Sequence, residues 1–295
     1  MAPKKPETHD FKFYTLNVKL RNVNSKEDVN IAEYITLFTK LYERKIHKQS
    51  SANKHCIIKF LNQEFDDNGK VQFLTGILVQ FTFIEGKSWI NLQDLDADTM
   101  FKIPENIFPD PVQTEFVFVP QAHRFSFRIT TAANLRPSPI AKFLEAALNE
   151  VATKNQVVQV DIETDKATLS KIENAKSIKK LKIKINYSNF DIGADFKQFV
   201  DDQNRKSNLK ELEITATPKK GTSIDLTDAI ILKGALDNTV SNGVAEATII
   251  NDDNKREKIN TLDYPILMRV TGTLTRFPHL VYNKIMQHFR SGNGN

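Results

Sequence analysis

The chain has 295 residues, of which 40% are hydrophobic and 26% charged, and its formal net charge is +5. This composition is typical of a globular protein with one large or two ordinary domains. The single cysteine excludes an internal disulfide and a multi-cysteine zinc site, and the apolar runs are too short to cross a bilayer. The charged N-terminus lacks the apolar core of a secretory signal, so we expect a reducing, cytoplasmic location.

Charge is distributed unevenly along the chain. Residues 11–59 hold 10 Lys or Arg against 4 Asp or Glu, and the last 41 residues hold 7 against 2. Residues 60–115 are acidic instead, with 3 Lys or Arg against 10 Asp or Glu. Because folding brings distant segments together, we expect basic surfaces that the average charge conceals.

The first half of the chain has the periodicity of strands, hairpins and two helices. Its predicted elements are a strand at 11–20, a helix at 29–43, a hairpin of 55–65 with 71–84, a hairpin of 115–119 with 124–129, and a helix at 138–151. The turn sequence DDNGK favours the first hairpin. Ser138 is the expected N-cap of the second helix, with Pro139 at the first helical position.

The second half alternates strands and helices. Its predicted elements are a strand at 157–163, a helix at 166–176, a strand at 178–185, a helix at 194–206, a strand at 209–216, a helix at 225–240, a hairpin of 243–250 with 264–272, and a helix at 278–289. We therefore expect an α+β fold of two halves, residues 1–155 and 156–295, that share an interface. The first is an antiparallel, hairpin-rich sheet with two helices, and the second is a sheet with helices on one face, of ferredoxin-like character.

A row of lysines marks one face of the strand at 178–185. Lys180, Lys182 and Lys184 alternate with apolar residues, so they share the solvated face. Acidic side chains are expected on the same face of the neighbouring strands, at Asp161, Glu163, Glu211 and Glu213. Three interpretations follow. Cross-strand ion pairs neutralise the lysines, or the lysines lie on an edge strand and discourage its pairing with other chains, or they form a platform that binds nucleic acid.

Two segments supply candidate phosphate ligands. The segment 43–55 follows a predicted helix and is rich in cations and in small polar residues that suit phosphate contacts. The C-terminal helix and the strand before it supply a second set. The candidates are Arg44, Lys45, Lys48, Lys54, Arg269, Arg276, Lys284 and Arg290. They form one binding surface only if the fold brings the two segments together. For residues 43–55, the alternative is an ordinary solvated loop.

Residues 94–105 partly match a calcium-binding loop. Their acidic side chains fit ligand positions 1, 3, 5 and 12, but Thr99 replaces the required glycine and Pro104 occupies position 11. A surface loop is the better interpretation.

Catalytic motifs are absent from the sequence. It has no nucleophile elbow, no zinc-protease helix motif and no glycine-rich phosphate loop. The segment VDIETDK offers Asp161, Glu163, Asp165 and Lys166 for a metal-dependent nuclease, although Asp165 equally suits the N-cap of the next helix. Cys56 is interpreted as a small core residue, and the turn containing His123 and Arg124 as an exposed turn.

Three segments, TEFVFVPQAHRFSFRI, LRPSPIAKFLEAALNE and VSNGVAEATIINDD, resemble in order and spacing a bacterial family of about this length. That family is catalogued only as a domain of unknown function. The resemblance covers most of the chain and implies a setting in mobile elements and anti-phage defence. Its motifs are structural, so it transfers no functional residue.

The leading hypothesis is a non-enzymatic, cytoplasmic nucleic-acid-binding component of a bacterial anti-phage defence or mobile-element system, without a cofactor, metal or membrane partner. A first alternative is a protein–protein assembly or regulatory subunit that uses residues 60–115 or a sheet edge. A second is a divergent metal-dependent nuclease that uses Asp161 and Glu163.

Overall fold

The computed structural model describes residues 7–23, 30–84, 89–90, 92–93, 95, 97–98, 104, 106–186, 209 and 211–290. The predicted helix at 194–206, most of the acidic loop at 94–105 and the side chain of Arg290 lie outside the described residues. None of the helices in the described part of the chain has the length and apolar character needed to cross a membrane.

The fold is α+β with antiparallel sheets, as predicted. The strands are β1 (His9–Asn22), β2 (Lys48–Ser51), β3 (Lys54–Phe65), β4 (Val71–Thr82), β5 (Trp89–Ile90), β6 (Ala97–Asp98), β7 (Val112–Val119), β8 (Arg124–Ile129), β9 (Gln156–Ile162), β10 (Ser177–Asn186), β11 (Glu211–Ala216), β12 (Gly243–Ile250), β13 (Arg256–Asn260) and β14 (Leu267–Gly272). The helices are α1 (Ile31–Glu43), α2 (Pro137–Val151), α3 (Lys166–Glu173), α4 (Ile230–Asn242) and α5 (Phe277–Arg290).

Eight strands form one sheet around β1. The order is β14-β1-β8-β7-β4-β3-β2, and β9 pairs with β1 as well. Strand β9 pairs with residues 16–22 of β1 and β14 pairs with residues 9–14, so the two lie end to end along the same side of β1. At the gap between them, the Glu163 N–H donates to the Thr15 carbonyl and the Ile266 N–H donates to the Glu163 carbonyl.

The second sheet is built from the chain that runs between β9 and β14. Its order is β11-β10-β12-β13, and α3 and α4 pack with its apolar face. Residues 166–260 are therefore an insertion into the gap between two collinear strands. The division between the sheets does not follow the expected boundary near residue 155, because β9, β14 and α5 join the N-terminal strands.

One predicted hairpin is wrong. Strand β12 was expected to pair with residues 264–272, but it pairs with β13 at residues 256–260. Strand β14 belongs to the large sheet instead, where it pairs with the first residues of β1. Strand β13 has the sequence REKIN, in which only Ile259 is a buried apolar residue, so no alternating apolar pattern marks it as a strand.

The large sheet is covered on both faces. Helices α1 and α2 pack on one face through residues that include Phe38, Leu41, Phe143 and Leu144. Helix α5 packs on the other face, where Phe277, Val281 and Ile285 repeat every four residues and meet Phe11 and Phe13 of β1. These two clusters and the core of the insertion are the three hydrophobic cores of the described residues.

The helix starts follow local chemistry. At α1, the Asn30 side chain accepts from the Glu33 N–H at 3.0 Å, and the Glu33 carboxylate accepts from the Asn30 N–H at 2.9 Å. This reciprocal pair is a capping box. Helix α2 begins at Pro137 with Arg136 as its N-cap, so the prediction of Ser138 as the cap is wrong by two residues.

The lysine row lies on β10, between β11 and β12. Lys182 Nζ is 3.1 Å from a Glu213 carboxylate oxygen, and Lys184 Nζ is 3.3 Å from one of Glu211. The expected neutralisation by β11 is confirmed. The second acidic row was assigned to the wrong strand, because β12 places Glu246 opposite Lys182 and β9 belongs to the other sheet.

Two buried ion pairs connect the large sheet to the base of the insertion. Lys19 on β1 pairs with Asp161 on β9, and Arg124 Nε lies 2.8 Å from Glu163. The Arg124 and Glu163 side chains are each 2% exposed. The predictions that Asp161 and Glu163 face solvent and that Arg124 lies in an exposed turn are therefore wrong.

The end of α4 closes over these ion pairs. The Asn17 side chain donates to the Ser241 carbonyl at 2.9 Å, and Ser241 Oγ donates to Glu163 at 2.8 Å. Arg124 also donates to the side chain of Asn17 at 2.9 Å. These hydrogen bonds partly compensate the cost of burying four charges.

We expect Glu163→Gln to lower the free energy of unfolding by about 3–5 kcal/mol, because it leaves a buried guanidinium without its counter-charge. The double replacement Arg124→Met with Glu163→Leu removes both charges. We expect it to lower the free energy of unfolding by less than Glu163→Gln does. Urea unfolding measures both changes, and the control is Glu213→Gln, which removes an exposed ion-pair partner of the lysine row. A loss for Glu163→Gln no larger than for this control would contradict the assignment.

Cys56 lies in the core under α1 and α2. Burial raises the pKa of its thiol to about 11, although side-chain hydrogen bonds with Ser50 and Gln80 act to lower it. Because the thiolate is the reactive form, we expect a thiol-specific disulfide reagent to leave folded protein unlabelled at pH 8. Labelling should become complete in guanidinium. Rapid stoichiometric labelling of the folded protein would show that the thiol is accessible.

Candidate nucleic-acid interface

The eight predicted phosphate ligands fall into two groups. Arg44, Lys45, Lys48 and Lys54 lie on the turn after α1 and on the hairpin of β2 and β3. The other four, Arg269, Arg276, Lys284 and Arg290, lie on β14, the short turn after it and α5. Strands β2 and β14 are the two ends of the large sheet. The structure therefore does not bring the two groups together in one surface.

The first group is held by a tight local structure. The Arg44 N–H donates to the Lys40 carbonyl and the Lys45 N–H donates to the Tyr42 carbonyl, which ends α1. Lys45 has a φ of 50°, in the left-handed region, and this reverses the chain toward β2. Strands β2 and β3 then pair directly, so most of the predicted loop at 43–55 is ordered in a hairpin.

The four cations of this group differ in their partners. Lys48 forms an ion pair with Glu150 at the end of α2. Lys54 Nζ lies 2.5 Å from Thr82 Oγ1 and 3.7 Å from a carboxylate oxygen of Asp110. Arg44 and Lys45 are exposed, and no carboxylate of the described residues pairs with either. Within the described ranges, half of the group is thus not neutralised by an ion pair.

An aromatic cluster borders the same edge; its rings are His47, His55, Phe81, Phe83 and Phe108. The two histidine Nδ1 atoms are 3.0 Å apart, so one ring donates and the other accepts. His55 stacks on Phe83 with 4.2 Å between ring centroids, and Phe108 stacks on Phe81 and Phe83 at 5.1 Å each. Phe81 is 8% exposed, while the other four rings are partly exposed.

The cations and the rings occupy opposite sides of the edge. Lys54 shares a face with Cys56, which belongs to the core under α1 and α2. His55 pairs in register with Phe81, and both point to the other face. Exposed Lys59 reaches that second face, where its Nζ donates to Gln113 at 3.1 Å.

Helix α5 shares the second face but covers a different part of it. Phe73, at the other end of β4, stacks on Tyr282 of α5 at 5.1 Å. Phe81 lies eight residues further along the same face of β4 and contacts the histidines instead. The aromatic cluster is therefore beyond the end of the helix-covered core.

Sequence analysis missed this cluster. Phe81 and Phe83 alternate in a predicted strand, and that pattern could have placed them on the face of His55. Phe108 lies in a segment with no periodicity and comes from a distant part of the chain. Only the fold shows that these rings meet.

The second basic group has a different environment. Arg269 is exposed on β14, opposite Lys12 of β1. Lys284 and His288 lie four residues apart on α5 and hence on one side of the helix. Burial lowers the pKa of His288, and the charges of Lys166, Lys284 and Arg124 lower it further. His288 is therefore expected to be mostly neutral at pH 7.

The nuclease alternative depended on carboxylates that are engaged elsewhere. Asp161 and Glu163 pair with buried cations, and the Asn186 amide also donates to Asp161 at 2.6 Å. The Asp165 carboxylate accepts from the Ala167 N–H at 3.0 Å, which confirms its interpretation as a helix cap. Within the described ranges, no three His, Cys, Asp or Glu side chains are grouped as metal ligands are.

The sequence profile of one family, described as a domain of unknown function (DUF4747), matches residues 9–286. This match confirms the expected resemblance to an uncharacterised family of about this length. No curated protein matches the chain.

We expect Lys284→Gln to raise the pKa of His288, because it removes one of the cations that disfavour the imidazolium. A chemical-shift titration of the histidine rings measures this change. Arg269→Gln on β14, which is not among the causes of the shift, is the matched control. An unchanged titration of His288 in Lys284→Gln would show that the two side chains do not interact.

Proposed function

The chain belongs to the DUF4747 family, and from its surface we propose that it is a non-enzymatic nucleic-acid-binding protein. The observation that carries the proposal is the group of four cations at the β2–β3 edge, in which Arg44 and Lys45 are exposed and form no ion pair with the acidic residues that the structure describes. A phosphate backbone is the partner that such a group favours, since each neutralised phosphate releases bound counterions. The second basic group, on the opposite edge, is not part of this interface.

The two paired lysines also remain available to a ligand. The side chains of Lys48 and Glu150 are 37% and 44% exposed, and those of Lys54 and Asp110 are 34% and 69% exposed. Ion pairs this open to water contribute little, so a phosphate can replace the carboxylate. Arg44 suits a bidentate phosphate contact, and Lys45 supplies a point charge beside it.

The wider setting is part of the same proposal. A cytoplasmic role in bacterial anti-phage defence or in a mobile element is supported by the resemblance of three sequence segments. The arrangement of neighbouring genes tests it: defence or transposition genes beside those of this family are expected. Neighbours restricted to housekeeping functions would argue against it.

An assembly subunit is the second candidate, and one observation favours it. Phe60 and Phe65 on β3 are 48% and 58% exposed. Beyond Cys56, the outer side of β3 has no strand partner among the described residues. Two bulges interrupt this part of β3, which opposes simple strand addition, so nucleic-acid binding stays the leading proposal.

We expect the double variant Arg44→Gln/Lys45→Gln to lose affinity for a labelled oligonucleotide. The negative slope of log K against log salt should become shallower by about 1.4 for a single-stranded oligonucleotide, because two phosphate contacts disappear. Fluorescence anisotropy over a salt series measures both quantities. Arg269→Gln/Arg276→Gln on the opposite edge removes the same charge and should change neither the affinity nor the slope by as much.

Equal losses in the two double variants would mean that net charge, rather than the β2–β3 edge, attracts the ligand. No binding by the wild-type protein at low salt would contradict the proposed function itself.

A further inference from the structure

We infer that the ligand of the β2–β3 edge is single-stranded nucleic acid, with bases stacked on the aromatic cluster. This inference rests on the proposed function and adds the class of ligand to it. The cations alone do not discriminate between a duplex and a single strand, since both present phosphates. The rings beside the cations do discriminate between a duplex and a single strand.

The cluster is organised before any ligand arrives. His55, Phe83 and Phe108 form a continuous stack, with centroid separations of 4.2 and 5.1 Å. The hydrogen bond between His47 and His55 holds the His47 ring beside this stack. A base that extends the stack therefore pays little entropy for ordering the protein, and base–aromatic stacking tolerates any sequence.

The position of the rings excludes a regular duplex as the best ligand. In a duplex the bases stack on each other and show only their edges in the grooves. Rings on the face of a sheet cannot reach those base planes without unpairing the helix. A single strand exposes base planes and phosphates together, which is the combination that this edge offers.

The two sides of the edge match the two sides of a single strand. Lys54 and Lys48 project from the face that carries α1 and α2, while the rings project from the opposite face. A strand that crosses the edge places phosphates near the cations and turns its bases toward the rings. Lys59 lies on the ring side and supplies a further cation to phosphates there.

The test compares one sequence as a single-stranded 12-mer and as a hairpin duplex, by anisotropy at fixed salt. The wild-type protein should bind the single strand more tightly. Phe83→Leu and Phe108→Leu should each weaken single-strand binding by about 5- to 150-fold, the range for loss of one stacked base. Phe65→Leu is the matched control, since Phe65 is 58% exposed but lies at the end of β3 that is far from the cluster.

Ultraviolet cross-linking of the wild-type protein provides a readout that needs no variant. Cross-linked peptides should contain His55, Phe83 or Phe108. Tighter binding of the duplex, equal losses for Phe83→Leu and Phe65→Leu, or cross-links confined to other surfaces would each overturn the inference. If Arg44→Gln/Lys45→Gln still weakens binding in that case, the proposed function stands and only the ligand class is wrong. Absence of all binding at low salt would contradict both the proposed function and the inferred ligand class.

Discussion

The pairing of Lys19 and Arg124 with Asp161 and Glu163 is the constraint on which the arrangement of the molecule depends. Strands β1 and β8 carry both cations onto one face of the large sheet, where the end of α4 excludes water. Buried charges are tolerated only with partners, and the carboxylates come from the point where β9 ends. That point is also where the inserted unit leaves the sheet, so the ion pairs help to determine where the insertion docks.

This docking decides which surfaces are left for function. The insertion and α5 share one face of the large sheet, and α1 and α2 cover the other. Strand β14 must pair with the first residues of β1, which holds Arg269 and the basic residues of α5 at one edge. The opposite edge, with β2 and β3, keeps both its cations and its partly exposed rings. The proposed interface therefore combines the charge of one segment with rings contributed by three.

Local features of the fold were predictable, and long-range ones were not. The stripes of α1 and α2 and the hairpin turn at 66–70 depend on neighbouring residues, so their periodicity was sufficient. Pairing of β14 with β1 joins residues more than 250 positions apart, and no local pattern encodes it. Alternation in β9 correctly separated Val160 from Asp161, but alternation does not say whether the second face is wet or covered.

The candidate site shows the same division. The basic segment at 43–55 was evident from composition, whereas its separation from α5 required the strand order of the whole sheet. The aromatic cluster required the packing of β2, β3, β4 and the segment around Phe108, which is a tertiary property. Composition can thus nominate a charged segment, but only the fold shows which rings stand beside it.

Hydrogen–deuterium exchange with and without a single-stranded oligonucleotide tests the central claim most directly, because it maps the contact surface without altering the protein. The account predicts slowed exchange in residues 44–59 and 79–83, with α5 and β14 unchanged. Slowed exchange confined to α5 and β14 would contradict it and would place the interface at the opposite edge of the sheet.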